Sequence, residues 1–327
     1  MADPAAPLAW VVGSGGLLGR SVADAARAAG VEVWHPPGPV PWADPAASVE
    51  ALRTAVVFFM EVARGRPWWV LWCAGTGSPS TPSDALAIER EVFGSVLDEL
   101  AAASASRGPT EPMGGVFLAS SAGGVYGGST GGPFDEHTVP VSISPYGDSK
   151  LRQEQQMQRF HVATGVSILV GRIANLYGPG QNLAKPQGLI SHLCRAHLKR
   201  RPISIYVPLD TVRNYIFAPD CGLKVVAGML RLQSEAEAHG AQSVTKVLAG
   251  PHGVSVGYVV AELGRVVKRR PLVVFAASPA SAYQARDLRL RSVTWPEVGA
   301  SHSTSFASGL HQTLQGLARS LAAGDLP

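Results

Sequence analysis

The first 149 residues contain no lysine, and the whole 327-residue chain has only three cysteines and 16% charged residues. Cys73, Cys194 and Cys221 are widely spaced with no CxxC pair, which excludes a disulfide framework and a zinc cage. Reduced, buried thiols are the expectation, and no metal site is expected. No apolar run approaches the length needed to cross a bilayer, the densest being Trp68 to Ala74. Met1 to Pro7 has neither the basic nor the apolar stretch of an export signal, so a cytoplasmic chain without a membrane partner is expected. Low charge is matched by 46% hydrophobic residues, enough to fill a core and incompatible with disorder. The 36 glycines and 25 prolines follow no period, which excludes collagen-like and low-complexity sequence.

The net charge of +4 hides an asymmetry. Residues 1–149 hold seven arginines against fifteen acids, whereas residues 150–327 hold 21 cations against nine acids. A basic second half suits an anionic ligand. Its basic runs, His192 to Arg201 and Arg265 to Arg270, are interleaved with aliphatic residues at helical spacing. They read as solvated helix faces, and nucleic acid is not an expected partner.

Short apolar runs at Leu8 to Val12, Val31 to Trp34, Trp68 to Cys73, Gly115 to Ala119 and Val166 to Arg172 read as strands. Between them lie helical stretches at Ser21 to Ala29, Ala46 to Ala63, Asp84 to Ala105 and Tyr146 to Ala163. Such alternation predicts an α/β fold with a doubly wound parallel sheet of Rossmann type, because parallel neighbours require crossover connections. Beyond Asn175 the rhythm loosens, with Pro179, Pro202 and Pro208 between strand-like pieces at Ile203 to Val207 and Arg213 to Phe217. The predicted organisation is a dinucleotide-binding domain over 1–174, rejoined by roughly 213–250, and a smaller C-terminal substrate lobe within 175–327. Apolar periodicity returns at Val244 to Leu248 and at Val254 to Val267.

Gly13-Ser14-Gly15-Gly16-Leu17-Leu18-Gly19 has GxxGxxG spacing between the first strand and the first helix. Glycines there allow a sharp turn and let a pyrophosphate approach a helix N-terminus, where free amides and the helix dipole favour negative charge. The second strand ends in Trp34-His35-Pro36-Pro37, without the carboxylate that usually receives the ribose hydroxyls of NAD. No lysine or arginine between Val31 and Leu52 is available for a 2′-phosphate either. NAD or NADP therefore both stay open, with NAD preferred. Tyr146-Gly147-Asp148-Ser149-Lys150 places a phenol and an ammonium four residues apart, on one face of a helix. A neighbouring ammonium stabilises phenolate, which predicts a tyrosine pKa lowered toward neutrality and useful in proton transfer.

These segments, together with Leu71-Trp72-Cys73-Ala74-Gly75, Ser120-Ser121-Ala122-Gly123-Gly124-Val125-Tyr126-Gly127, Asn175-Leu176-Tyr177-Gly178-Pro179-Gly180-Gln181 and Arg213-Asn214-Tyr215-Ile216, run along nearly the whole chain. Jointly they resemble the extended short-chain dehydrogenase/reductases, in their nucleotide-sugar epimerase/dehydratase branch. The resemblance implies that Tyr146 is the acid/base and that Lys150 holds the nicotinamide ribose. It also implies that a hydroxyl from Ser121, or failing that Ser120, binds the sugar oxygen. Gly13, Gly16, Leu17, Leu18, Gly19, His35, Asp44, Ala74 and Gly75, with Tyr146 and Lys150, form the expected cofactor-binding set. Ser121, Asn175, Arg213 and Arg286 form the expected substrate-binding set, Arg213 pairing with a diphosphate.

The departures are informative. Ala122 occupies the usual place of the catalytic hydroxyl, counted back from Tyr126, with Ser121 one residue earlier. Gly123 and Gly124 stand where sugar dehydratases of the family need an adjacent acid pair, and glycine cannot transfer a proton. Asp135 and Glu136, farther on, read as a solvated pair. Near the C-terminus the family spacing would put the diphosphate arginine at Gln284, so Arg286 or Arg289 substitutes only with a displaced loop. The expectation is an NAD(P)-dependent epimerase of a nucleoside-diphosphate sugar, acting through a transient keto-sugar and forming a homodimer through the helices near Asp84 to Ala105 and Tyr146 to Ala163. The alternatives are a keto-sugar reductase using the same residues and, from another class, a non-catalytic dinucleotide-binding protein.

Overall fold

In the first half, strand and helix alternate as β1 (Leu8–Val12), α1 (Leu17–Ala28), β2 (Glu32–Trp34), α2 (Pro45–Val62), β3 (Trp68–Trp72), α3 (Ser83–Ala105), β4 (Gly114–Ser121), the single turn α4 (Ala122–Val125), α5 (Pro145–Thr164) and β5 (Ser167–Ile173). There follow β6 (Asn175–Tyr177), α6 (Leu189–Leu198), β7 (Ile203–Ile205), β8 (Val212–Phe217), α7 (Ala218–His239), β9 (Ser243–Leu248), β10 (Gly253–Ser255), α8 (Val256–Val267), β11 (Val273–Phe275), β12 (Asp287–Leu288) and α9 (Phe306–Ala322). The structure is a computed structural model that describes residues 6–108, 114–184, 187–276, 285–299 and 303–324.

Six strands pair in parallel in the order β2-β1-β3-β4-β5-β9, giving the Rossmann-type α/β sheet that the alternation predicts. Every residue of β1, β3 and β5 is buried, because helices cover both faces. Side chains alternate between two cores. Ala9, Val11, Trp69 and Leu71 join the core shared with α1 and α7, whereas Leu8, Trp10, Trp68 and Trp72 join the one shared with α2 and α3. Gly222 lets α7 lie against α1, since a Cβ there would stand 2.2 Å from the Ser21 carbonyl oxygen.

Of the 213–250 stretch, β8 lies in a second sheet, flanked by β10 and β12 with β6 also paired to it, whereas α7 packs on the large sheet and β9 extends it. A third apolar cluster, including Tyr177, Leu193, Phe217, Leu263 and Leu310, supports this smaller sheet. The Val254 to Val267 run divides at Ser255, whose hydroxyl accepts from the Tyr258 amide and starts α8.

Asp135 and Glu136 are not the solvated pair that their sequence position suggests. The Glu136 carboxylate accepts from the amides of Val247 and Val293 and from the Ser292 hydroxyl, tying the edge of the large sheet to the C-terminal segment. Asp135 pairs with Arg291 at 3.0 Å. Cys194 and Cys221 are buried, while Cys73 is half-buried. Among the described residues no helix is long and apolar enough to cross a membrane, and no three His, Cys, Asp or Glu side chains cluster as metal ligands.

Candidate active site

The C-terminal edge of the parallel sheet carries the glycine turn after β1, Ala74 and Gly75 after β3, Ser121 at the end of β4, and Asn175 after β5. The chain leaves β1 toward β2 on one side and returns to β3 on the other, and such a reversal opens a crevice for a ligand. Gly13 has φ of 85°, and a Cβ on it would stand 2.7 Å from the backbone nitrogen and Cα of Ala74. A Cβ on Gly19 would stand 2.1 Å from the Gly13 carbonyl oxygen, so only glycine closes the turn. Gly16 is the N-cap of α1, and no side chain caps that helix. Its first amides are therefore left for an anion, and a Cβ on Gly15 would meet nothing, so the turn is open on its outer side. These residues fit the pyrophosphate of a dinucleotide. Leu18 is buried in the core and Leu17 half-buried beside it.

At the C-terminal end of β2, His35 is exposed and Arg27 reaches it from α1, with Nη2 3.4 Å from Nε2. A cation absent from the local sequence is thus supplied by the neighbouring helix, although Arg27 also pairs with Asp24 at 3.1 Å. The Asp44 carboxylate accepts from the Ala47 amide and caps α2, with Pro45 in the first turn.

The Tyr146 helix begins where Ser144 caps the Gly147 amide and Pro145 occupies the first turn. A Cβ on Gly147 would stand 2.1 Å from the Gly124 carbonyl oxygen, so the start of α5 docks tightly on α4. The Ser121 side chain faces Tyr146 and lowers the proton affinity of its phenol, and its Oγ accepts from the Gly124 amide at 3.1 Å. Ser120, one residue earlier on β4, points to the opposite face and donates to Glu154 at 2.5 Å. There it joins a buried network in which Arg172 pairs with Glu154 at 2.7 Å and donates to the Tyr126 hydroxyl, also at 2.7 Å. Ser120 therefore braces the structure, and Ser121 alone of the two faces Tyr146.

Lys150 is buried, with Nζ 6.0 Å from the centroid of the Tyr146 ring. Nζ donates to the Ala119 carbonyl at 3.1 Å and to Gln153 Oε1 at 2.9 Å. An ammonium has three protons, so one donor is left over. Contrary to the sequence expectation, the phenol is held above the ordinary tyrosine range. Burial pushes it up and outweighs the lowering by Ser121, while Glu89 raises it further. Lys150 is itself held below the usual lysine range by burial, opposed by Glu89 and Glu154.

Asn175 opposes Tyr215 across β6 and β8, and its side chain lowers the proton affinity of the Tyr215 phenol, which burial raises. Arg213, two residues earlier on β8, lies on the same face and is buried. Its Nη1 donates to the carbonyls of Val212 and Arg286, and burial holds its pKa below the usual arginine value. A buried guanidinium bonded to carbonyls is suited to receive an oxyanion. Arg286, expected as a further diphosphate ligand, is exposed and paired with Asp210, and Arg289 is paired with Asp287 at 2.8 Å. Gln284 lies outside the described residues. Gln153 and Glu89 escaped the sequence reading, and Tyr215 entered it only within the Arg213 to Ile216 motif. Gln153 stands three residues after Lys150, where helical spacing signals it, but nothing local marks Glu89.

The family described as "NAD dependent epimerase/dehydratase family" matches residues 9–242. The chain is 30% identical over 121 residues to the uncharacterized UDP-glucose epimerase YtcB of Bacillus subtilis, covering 36% of this chain and 37% of that one. It is 31% identical over 170 residues to the UDP-glucose 4-epimerase of Azospirillum brasilense, covering 48% of this chain and 47% of that one. The matches thus span less than half the length of these curated relatives. The fold resembles the UDP-glucose 4-epimerase of Thermotoga maritima with UDP-glucose, at a TM-score of 0.77 and 20% identity over 96% of this chain and 99% of that one. It also resembles MoeE5 in complex with UDP-glucose and NAD, at a TM-score of 0.73 and 20% identity over 97% and 99% of the two chains.

Proposed function

Because the chain belongs to the NAD dependent epimerase/dehydratase family, we propose that it is an NAD(P)-dependent epimerase of a nucleoside-diphosphate sugar, acting through a transient keto-sugar. The observation that carries this reading is the Tyr146 phenol facing the Ser121 side chain, with Lys150 Nζ 6.0 Å from its ring, at the sheet edge that bears the glycine turn. When bound, the nicotinamide supplies the carbon that accepts and returns hydride. Tyr146 takes the proton of a sugar hydroxyl as the ketone forms and returns it when the alcohol is restored. Ser121 holds the same sugar oxygen, and the remaining Nζ–H of Lys150 holds a ribose hydroxyl. Arg213 pairs with the diphosphate and Asn175 with the neighbouring phosphoryl or sugar region. Rotation of the keto-sugar between the two half-reactions inverts the carbon.

One observation favours a second reading, a keto-sugar reductase. Burial raises the proton affinity of the Tyr146 phenol, which favours the form that donates to a ketone oxygen. A panel of nucleoside-diphosphate sugars, followed by mass spectrometry and product NMR, separates the two. A product of unchanged mass with one inverted centre supports the epimerase, and net consumption of reduced cofactor with a keto-sugar supports the reductase. Absence of turnover with every sugar and either cofactor overturns both in favour of a non-catalytic dinucleotide-binding protein. The same reading carries a homodimer through α3 and α5, for which sedimentation velocity is the test, and a purely monomeric protein contradicts it.

A further inference from the structure

We propose that Glu89 is a positioning residue of the Tyr146 site: its carboxylate holds the Ala74–Gly77 turn through Thr76 and presents a negative charge to Tyr146 and Lys150 from α3. The inference rests on Tyr146 being the proton-transfer group. Glu89 Oε1 accepts from the Thr76 amide at 2.6 Å and from the Thr76 hydroxyl at 2.9 Å, so one oxygen fixes the segment that Gly13 also touches. The second oxygen points onward. It lies 3.5 Å from the place of a Cβ on Gly75 and 3.2 Å from that of a Cβ on Gly77. The Gly77 position is also 3.2 Å from Cδ2 of Tyr146 and 2.8 Å from Cδ2 of Leu86. Carboxylate and phenol ring therefore flank the same glycine, and no side chain fits between them.

The groups that meet at this point come from three elements. Lys150 and Tyr146 stand on α5, Ser121 on β4 and Glu89 on α3, with Glu154 acting on Lys150 from one turn farther along α5. Asp148 is exposed, and the neighbouring Arg90 is directed to Ser149 at 3.4 Å. Within this set the Glu89 charge raises the proton affinity of both Tyr146 and Lys150. It favours the charged form of the buried lysine, and it opposes phenolate.

Glu89→Gln removes the charge and keeps an acceptor for Thr76, and the Tyr146 titration is followed by NMR of carbon-13 at tyrosine Cζ, with Tyr146→Phe assigning the resonance. In Glu89→Gln the Tyr146 midpoint and the acid limb of the kcat/KM profile both move to lower pH, because phenolate no longer faces a carboxylate. Superimposed titrations in parent and variant, flat ones included, overturn the charge role. Thr76→Val keeps the Tyr146 midpoint but weakens NAD binding by roughly threefold to tenfold, the size of one lost hydrogen bond. Unchanged NAD affinity overturns the turn-holding role. The NMR midpoint needs no turnover, so a shift in a protein that turns over no sugar supports the Glu89 role and counts against the proposed function alone.

Discussion

Replacing Ser120 and Ser121 separately by alanine tests which face of β4 carries the chemistry. Ser120 donates to Glu154 inside the Arg172 and Tyr126 network, and Arg172 is only 7% exposed. Removing a hydrogen bond to a charged group costs about 1.5–3 kcal/mol. Glu154 keeps its Arg172 pair, so the lower end applies, roughly 1.5–2 kcal/mol. With an unfolding entropy near ~2.1 cal/mol/K per residue, a 327-residue chain should then melt about 2–3 °C lower. Its kcat should stay within about twofold, since nothing facing Tyr146 has changed. Ser121→Ala removes the hydroxyl that faces the phenol and the cap on the Gly124 amide. Loss of a positioned donor to the reacting oxygen lowers kcat by about 10²–10³, and loss of the cap destabilises by ~1 kcal/mol. Thermal scans and turnover of the best nucleotide sugar read both quantities. A Ser120→Ala protein as slow as Ser121→Ala, or a Ser121→Ala protein of parental kcat, refutes the assignment.

Gly123 and Gly124 differ in what surrounds them. A Cβ on Gly123 meets nothing within 4 Å, whereas one on Gly124 stands 3.1 Å from Cε1 of Tyr146. Gly123→Asp should therefore fold and bind cofactor as the parent does, while Gly124→Asp should lose turnover at least tenfold, as kinetics and cofactor titration would read. Arg213→Lys should raise KM for a nucleoside-diphosphate sugar by roughly 10-fold or more with little change in cofactor affinity, because an ammonium cannot reproduce forked donation. Lys246 is buried and bonded to Ser292 and to the carbonyls of Thr294 and Trp295, and burial lowers its pKa to about 8. Between about pH 8 and the ordinary lysine range the unfolded chain holds a proton that the folded chain has released, so stability rises with pH there. Urea unfolding across that window should show the rise in the parent and its loss in Lys246→Met, and a rise of equal size in both contradicts the assignment.

The parts legible in the sequence are those fixed by local geometry. The Gly13 to Gly19 turn requires a positive φ and close backbone approach, which only glycine permits, and the spacing from Tyr146 to Lys150 fixes a shared helix face whatever the tertiary context. Where those side chains point is not local. Lys150 is turned onto the Ala119 carbonyl and Gln153, and burial then decides the proton affinity of Tyr146. The choice between Ser120 and Ser121 hangs on which face of β4 each meets, and one residue of register reverses it. Glu136 reads as solvated because its partners, Val247, Ser292 and Val293, lie more than a hundred residues away. Arg27 reaches His35 only because α1 packs beside β2, and Asp44 is a helix cap whose position before Pro45 already marks that role.

Tyr146 as the proton-transfer group beside a bound nicotinamide is most directly tested by mixing the cofactor-loaded protein with its nucleotide sugar and following nicotinamide absorbance in parent and Tyr146→Phe. The predicted result is a transient reduced nicotinamide in the parent and a rate at least ~10²-fold slower in the variant, with unchanged cofactor affinity. Equal rates of nicotinamide reduction in the two proteins would contradict it.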